Sequence, residues 1–331
     1  MVGDKEEKRY ERSDPEMQYV IMDLEWNQST DPEQTKENLP FEIIEIGAVK
    51  LNENLEQEDT FHRYIKPICY LELAPVVERM LPYNERNLEH GESFVEVMNE
   101  FFNWCGNNYI FCTYGDSDLI QLQRNMDYYH MPRFKKPLAF YDVQRIYRFW
   151  HQDKGVVSLE HAVSTMGIEV SIPFHQALYD AFYTSQVFRG IEREKWIVSI
   201  DVYNNPKNAK EEIFRKNKKG TLYITREFVD KVTAMEQRKV KNLRCACCGA
   251  VLRQKIHWFA SSLTVYYAVG YCEQHGYMRG KIKVKNAING KIFLIKTVKP
   301  IQKSEAESIE LRQEELRKKR RERKKRVRVK E

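Results

Sequence analysis

The sequence predicts a two-part chain: an α/β domain built on a mixed sheet with helices on both faces, then a small basic module with a metal site and a C-terminal basic helix. Three observations predict it. Strand-like runs come first in close succession and later alternate with stretches of helical periodicity, the order expected of a mixed sheet covered on both sides. Charge divides the chain, since residues 1–200 hold 20 Lys+Arg against 34 Asp+Glu whereas residues 201–331 hold 34 against 14. Finally, Cys-x₂-Cys and Cys-x₂-His pairs sit in the basic half.

Residues 1–16 are charged throughout and read as an extension without a signal-peptide core. Tyr19 to Trp26, Ile43 to Leu51 and Thr60 to Lys66 read as three strands of a meander, with one longer polar loop over residues 28–40. Ser93 to Trp104 and Asp118 to Tyr129 have helical periodicity and flank a strand over Tyr109 to Thr113. Leu138 to Tyr141 reads as another short strand, and helices follow over Ser158 to Met166 and Gln176 to Glu194. The clearest break is Asn204-Asn205-Pro206-Lys207-Asn208. These signals divide the chain into the extension, an α/β domain over 17–196, a basic linker over 197–240, a ribbon-like metal module over 241–302 and a basic helical tail over 303–331.

The most informative residues are Asp23 and Glu25 in Tyr19-Val20-Ile21-Met22-Asp23-Leu24-Glu25-Trp26-Asn27. Residues i and i+2 of a strand project from one face, so an apolar strand ending in both acids presents a cradle for a divalent cation. Like charges this close raise each other's pKa unless a cation neutralises them, and Mg²⁺ and Mn²⁺ prefer hard oxygen ligands. Two further acids fit. Asp118 lies where the strand over Tyr109 to Thr113 passes Gly115 into a helical pattern, and Asp180 follows His175 by five residues in a helix. Asp116 competes with Asp118, but its place after Gly115 and before Leu119, Leu122 and Met126 suits a helix cap. Asp127, Asp142 and Asp153 stand in no comparable motif and read as structural or surface acids.

Asp-x-Glu, then Asp followed by Leu, then His with Asp five residues on resembles a DEDDh-type 3′-to-5′ exonuclease over residues 17–196. The runs Glu42-Ile43-Ile44-Glu45-Ile46-Gly47-Ala48-Val49 and Ser158-Leu159-Glu160-His161-Ala162 are also typical of that family. The resemblance implies a ribonuclease-H-like mixed sheet flanked by helices and two Mg²⁺ or Mn²⁺ ions held by Asp23, Glu25, Asp118 and Asp180. Asp23 would bridge both ions, Glu25 and Asp180 would serve the one nearer the attacking water, and Asp118 the second. Two ions about 3.5–4 Å apart clamp the attacking and leaving oxygens of an in-line displacement. His175 is then the general base, because an ordinary pKa of about 6.5 leaves a neutral imidazole near neutral pH. The implied products are nucleoside 5′-monophosphates released from the 3′ end of RNA or single-stranded DNA. Trp26 and Asn27, just beyond the acids, are candidates to stack on and hydrogen-bond the terminal nucleotide. The alternative is an exonuclease-like regulatory protein that works by binding nucleic acid or protein, similar to sporulation regulators. The intact set of five residues argues against it.

In the basic half, Cys245-Ala246-Cys247-Cys248-Gly249 and Cys272-Glu273-Gln274-His275-Gly276 look like a zinc ribbon. Two such pairs, each leading into Gly, aim Cys245, Cys248, Cys272 and His275 at one structural Zn²⁺. Cys247 can replace a neighbour, though Cys-x-Cys matches the usual turn less well, and His257 is an alternative fourth ligand. Few apolar residues surround the motif, so the metal is expected to supply much of the module's folding energy. Cys69, Cys105 and Cys112 lie among apolar residues and read as buried thiols. Lys281-Ile282-Lys283-Val284-Lys285 alternates like a strand with one basic face, and a capping-box pattern at Ser304-Glu305-Ala306-Glu307 opens a final helix rich in Lys and Arg. Such a tail grips phosphates without sequence specificity, with a protein partner as the alternative. No segment approaches the roughly eighteen apolar residues of a membrane span, and seven cysteines without a signal peptide point to reduced thiols or ligands in a cytoplasmic protein.

Overall fold

The computed structural model describes residues 17–80, 88–134, 137–153, 155–201, 203–217, 220–287 and 290–328, so the expected N-terminal extension lies outside the described residues. Two compact units divide at Asp201 and Val202.

In the first unit, β1 (Gln18–Asn27), β2 (Glu42–Leu51) and β3 (Gln57–Tyr64) form the antiparallel meander. β4 (Tyr109–Thr113) joins β1 in parallel, β5 (Ala139–Asp142) joins β4 in parallel, and β6 (Val198–Ile200) closes the edge antiparallel. The order is β3-β2-β1-β4-β5-β6, the mixed sheet expected of the sequence. Helices α1 (Pro75–Met80), α2 (Phe94–Cys105), α3 (Ser117–Tyr128), α4 (Val143–His151), α5 (Leu159–Thr165) and α6 (Ala177–Arg189) complete it. The sequence reading missed α1 and α4, and α6 stops at Gly190 instead of continuing to Glu194. Ser93 starts α2 through a reciprocal capping box with Glu96, and Ser158 accepts the His161 amide at the head of α5.

β1 is buried on both faces, which explains its nearly unbroken apolar run. Val20, Met22 and Leu24 enter one core with Phe94, Phe101 and Leu122, while Tyr19 and Ile21 enter the other with Ile146, Tyr183 and Phe188. By the period of two, Asp23 and Glu25 continue the row of Tyr19 and Ile21. Their partners in register on β2 are Gly47 and Glu45. A Cβ on Gly47 would stand 2.0 Å from the Leu178 nitrogen and 2.2 Å from the Ala177 carbonyl carbon, so the start of α6 rests directly on the backbone of β2. That contact carries Asp180, in the first turn of α6, toward the end of β1.

The second unit is a six-stranded antiparallel sheet in the order β7-β8-β12-β11-β10-β9. Its strands are β7 (Ile213–Asn217), β8 (Gly220–Ile224), β9 (Arg253–Ala260), β10 (Val265–Cys272), β11 (Gly276–Asn286) and β12 (Ile292–Pro300). The expected linker over 197–240 is thereby corrected: it holds β6 of the first sheet, β7 and β8 of the second, and helices α7 (Lys231–Glu236) and α8 (Arg238–Lys241). The core is also larger than the cysteine motif alone suggests. Ile282 and Leu294 pack with Ala234 and Val240 on one face, Met278 and Val298 pack beside Leu243, Cys245 and Cys272, and Ile256 and Val269 meet Ala306 and Ile309 of α9 (Lys303–Arg328) on the other. Ser304 falls inside the first turn of α9, not at its cap as expected. Lys296 is buried within β12, where its ammonium donates to the carbonyls of Lys239, Val240 and Asn242 and so satisfies the C-terminal end of α8. Burial pushes that amine down to about 8.

Because Gly47 leaves no room for a methyl group, Gly47→Ala should destabilise the first unit by about 1–3 kcal/mol and displace Asp180. Urea unfolding of the full chain measures it, and an unchanged midpoint would show that α6 does not rest on β2 at that point.

Candidate active site and metal centre

Side-chain oxygens of Asp23, Glu25 and Asp180 all lie within 4.8 Å of one another, so three of the four expected acids converge at the end of β1 and the head of α6. Asp118 stands beside this triplet but does not join it at that distance. It sits in the first turn of α3, buried, and its Oδ1 accepts the Leu24 amide at 3.2 Å, which ties α3 to the strand between the two leading acids. Asp116 occupies the N-cap position of α3, yet its side chain makes no capping bond, so the expected capping role is not realised. Asp142 caps α4 through the Arg145 amide and Asp153 pairs with His151 at 3.1 Å, as structural acids do.

His175 precedes α6 in the left-handed backbone region, with φ at 66°. This conformation directs its amide onto Asp180 Oδ2 at 3.2 Å. Its ring is partly exposed, with Nε2 3.8 Å from Glu160 Oε1. The strained backbone aims the amide at Asp180 while the ring nitrogen Nε2 lies toward Glu160.

A fifth carboxylate belongs to the site and was not singled out from sequence. Glu45, opposite Glu25 in register, is fully buried and holds His62 Nε2 at 2.7 Å through Oε1. Its Oε2 and Asp180 Oδ1 are buried without a hydrogen-bond partner among the described residues. Two buried, unsatisfied carboxylate oxygens are costly unless a cation meets them. The signal was present in the sequence as two acids, Glu42 and Glu45, inside an otherwise apolar strand. Glu42 serves a different purpose: its carboxylate accepts the amides of Ile68, Cys69 and Tyr70 and the Tyr129 hydroxyl.

The acids titrate as a group. Burial, then the charges of Asp118, Glu25, Asp180 and Glu45, pushes Asp23 well above the usual carboxylate range, although a partial opening to solvent remains. Burial and the Glu45 charge raise Glu25 to about 8. Burial raises Asp118 to about 7 against the opposing pull of backbone amides, and Asp180 to about 6 against the His175 amide.

The two residues expected to meet substrate fare differently from the acids. Asn27 is fully buried; its Nδ2 donates to the Tyr70 and Glu72 carbonyls at 2.9 and 2.8 Å, and its Oδ1 accepts the Ala74 amide at 3.0 Å. It braces the 70–74 segment and has no donor left for a nucleotide, which corrects that expectation. Trp26 is partly buried against the core, its ring 6.0 Å from that of Phe41.

In the second unit, ligand atoms of Cys245, Cys248, Cys272 and His275 lie within 4.8 Å of one another. Cys248 Sγ and Cys272 Sγ are 3.7 Å apart, and Cys272 Sγ and His275 Nδ1 3.6 Å. Thiolates about 2.3 Å from a tetrahedral ion stand close to this spacing. Gly249 and Gly276, at φ of 78° and 70°, make the two turns that aim the ligands. Cys247 is exposed outside the cluster; its amide donates to Cys245 Sγ at 3.4 Å and its carbonyl accepts from Lys216 Nζ, and His257 is not part of the cluster either. Cys105 and Cys112 are buried thiols as expected, whereas Cys69 is half-buried and touches Tyr128 and Lys36.

A mixed sheet that gathers Asp-x-Glu from its first strand and a His-Asp pair from a late helix defines a hydrolase of the DEDDh 3′-to-5′ exonuclease type. The chain belongs to the RNase_T exonuclease family, whose pattern matches residues 20–188. Solved structures similar to it include a full-length 3′-exonuclease, at 20% identity and TM-score 0.47, covering 55% of this chain and 84% of that one. Another is a 3′-exonuclease described for 3′-end-specific recognition of a histone mRNA stem-loop, at 17% identity and TM-score 0.48, covering 57% and 92%. A third is E. coli exonuclease I in its zinc-ion-bound complex with single-stranded DNA, at 16% identity and TM-score 0.40, covering 52% of this chain but 40% of that one. No curated protein matches the chain in sequence. Among the described residues no helix is long and apolar enough to cross a membrane.

The raised carboxylates set the pH dependence of stability. In the unfolded chain they ionise near pH 4, whereas in the folded unit they hold protons up to about 6 to 8. The folded state therefore binds more protons across that window, and stability falls as pH rises through it. Without added Mg²⁺ or Mn²⁺, the denaturation midpoint of the first unit should drop between pH 5 and 8, and Mn²⁺ should restore it at pH 8. A flat profile in both buffers contradicts the acid cluster.

Proposed function

We propose that the chain is a metal-dependent exonuclease that shortens RNA or single-stranded DNA from the 3′ end and releases nucleoside 5′-monophosphates. The observation that carries this reading is the convergence of Asp23, Glu25 and Asp180 with a buried, unpartnered oxygen on Asp180. Hard oxygen donors held this close, and raised in pKa by burial and by neighbouring carboxylates, fit Mg²⁺ or Mn²⁺. Asp23, Glu25 and Asp180 would hold the pair of ions, with Asp118 supporting the second. When bound, such ions supply charge stabilisation to the attacking and departing oxygens of the phosphodiester.

The protein's own groups do the rest. Water attacks phosphorus in line, the bond from phosphorus to the 3′ oxygen breaks, and the water proton passes to the His175 imidazole. The amide contact to Asp180 anchors the His175 backbone at the head of α6, and the ring's partial exposure would let it exchange the proton with solvent. Glu45, pinned by His62, limits where Glu25 can move. In the second unit Cys245, Cys248, Cys272 and His275 would hold one structural Zn²⁺.

Asp23→Ala and Asp180→Ala should each abolish hydrolysis of 5′-labelled single-stranded RNA and DNA in Mg²⁺ or Mn²⁺ without unfolding the chain. Folded, active variants of either kind would sink the assignment. His175→Ala should lose roughly 10²–10⁴-fold in rate and recover part of it at higher pH as hydroxide replaces the missing base; an unchanged pH–rate profile removes that role.

The cysteine cluster predicts one zinc per chain in protein purified without chelators. Cys248→Ser should release it and loosen the second unit while the first keeps its melting transition. Elemental analysis that finds no zinc in the parent protein rejects the site.

A further inference from the structure

Two acids interrupt the apolar run of β2, and they are treated in opposite ways. Glu42 is fully satisfied: its two carboxylate oxygens accept the amides of Ile68, Cys69 and Tyr70 and the Tyr129 hydroxyl. Glu45 is just as deeply buried, but only Oε1 is engaged, by His62 Nε2 at 2.7 Å. Its Oε2 is buried without a hydrogen-bond partner among the described residues. A purely structural carboxylate has no reason to leave one oxygen in that state, because each buried acceptor without a donor costs stability.

The sheet order shows what Glu45 faces. β2 runs between β3 and β1. Val49 and Leu51 enter the core that also receives Tyr19 and Ile21, and by the period of two Gly47 and Glu45 continue that face toward the head of α6. Glu45 therefore stands between His62 of β3, which holds Oε1, and Glu25 of β1, its partner in register. Side chains opposite each other across two strands start from Cβ atoms about 4.5–5.5 Å apart. The Glu45 charge acts on Asp23, Glu25 and Asp180 alike, and Asp180 Oδ1 is a second buried oxygen with no partner among the described residues.

Glu45 nevertheless does not join the triplet whose oxygens converge within 4.8 Å. An acceptor beside an ion but outside its ligands reaches it through one water. A metal-to-oxygen distance of about 2.1 Å followed by an O–H···O distance of about 2.7 Å places such an acceptor about 4–5 Å from the ion. Mg²⁺ gives up its waters reluctantly, so an anionic acceptor at that range holds the hydrated ion.

We propose that Glu45, locked by His62, is a positioning residue of the cation site: its open oxygen accepts a hydrogen bond from the hydration shell of the divalent ion held by Asp23, Glu25 and Asp180. The inference rests on the reading of that triplet as a Mg²⁺ or Mn²⁺ site and adds a residue that sets affinity without touching the ion. His62 supplies the restraint, since it occupies one oxygen and keeps the carboxylate from turning to another donor.

Mn²⁺ binding to the full chain, read from the loss of the free-ion EPR signal with Mg²⁺ as competitor, tests this in Glu45→Gln, His62→Ala and His62→Gln. The control is Glu100→Gln, which removes an exposed carboxylate paired with Arg63, next to His62 on β3 and so on the other face of the sheet. Glu45→Gln should weaken Mn²⁺ binding by about 10–100-fold, the usual effect of removing an outer partner of a metal site. His62→Ala should weaken it by a smaller factor, and His62→Gln, which keeps a donor for Oε1, should stay near the parent. Without divalent ions, the urea midpoint of Glu45→Gln at pH 8 should equal or exceed that of the parent, because one of the crowded charges is gone; added Mn²⁺ should raise it less than it raises the parent. Parent-like affinity in Glu45→Gln, or an equal loss in Glu100→Gln, overturns the proposal. A Glu45→Gln chain that loses ion-free stability together with affinity shows a structural role only and overturns it as well. A parent that binds no Mn²⁺ removes the cation reading of the triplet itself, and this inference with it.

Discussion

The mutual repulsion of buried carboxylates is the constraint around which the first unit is organised. Asp23, Glu25 and Asp180 are drawn together where one apolar strand ends and a helix begins, with the fully buried Glu45 opposite Glu25 in register, and burial with neighbouring charge raises the carboxyls of Asp23 and Glu25. Such an arrangement persists only because the surrounding structure over-determines it. The two cores on either side of β1 fix the strand, Gly47 lets α6 lie against β2 without a side chain between them, and Leu24 pins Asp118 through its amide. Packing supplies the stability that the site gives up.

The polar groups nearest the acids divide into those that brace and those left open. Asn27 and Glu42 spend all or nearly all their hydrogen-bonding capacity on the 68–74 segment, which fixes the backbone beside the end of β1. Asp180 and Glu45 each keep one buried oxygen unpartnered among the described residues. Rigid bracing next to unpartnered carboxylate oxygens is what a site prepared for a cation needs, because its ligands cannot relax toward other partners.

The second unit solves a different problem with similar means. Its sheet carries cations and no anions in its strands, so it cannot satisfy itself by internal ion pairing between strands. One face is closed by the cysteine turns, α7 and α8, with Lys296 turned inward onto three backbone carbonyls. The other carries α9, which packs over Ile256 and Val269 through Ala306 and Ile309. The cysteine–histidine cluster therefore joins a hydrophobic core that already exists and is not the module's sole source of cohesion.

Local patterns in the sequence were enough for the meander, the strand-to-helix corners, the ends of α2 and α5, the pairing of Asp23 with Glu25 on one strand face and the gathering of Cys245, Cys248, Cys272 and His275, because each depends on periodicity, capping or short spacing. The linker, Asn27 and Glu45 were misread or passed over for one physical reason: what they do depends on partners far away in the chain. β7 and β8 become strands by pairing toward β12, Asn27 is consumed by a loop some 45 residues on, and Glu45 enters the site only through register with Glu25. Likewise, alternation along β11 showed that one face would be basic, but only tertiary packing decided which face meets α7, α8 and the cysteine cluster. Sequence determined the chemistry available at each element, whereas long-range pairing and close backbone approach decided which groups meet, since neither leaves a local signature.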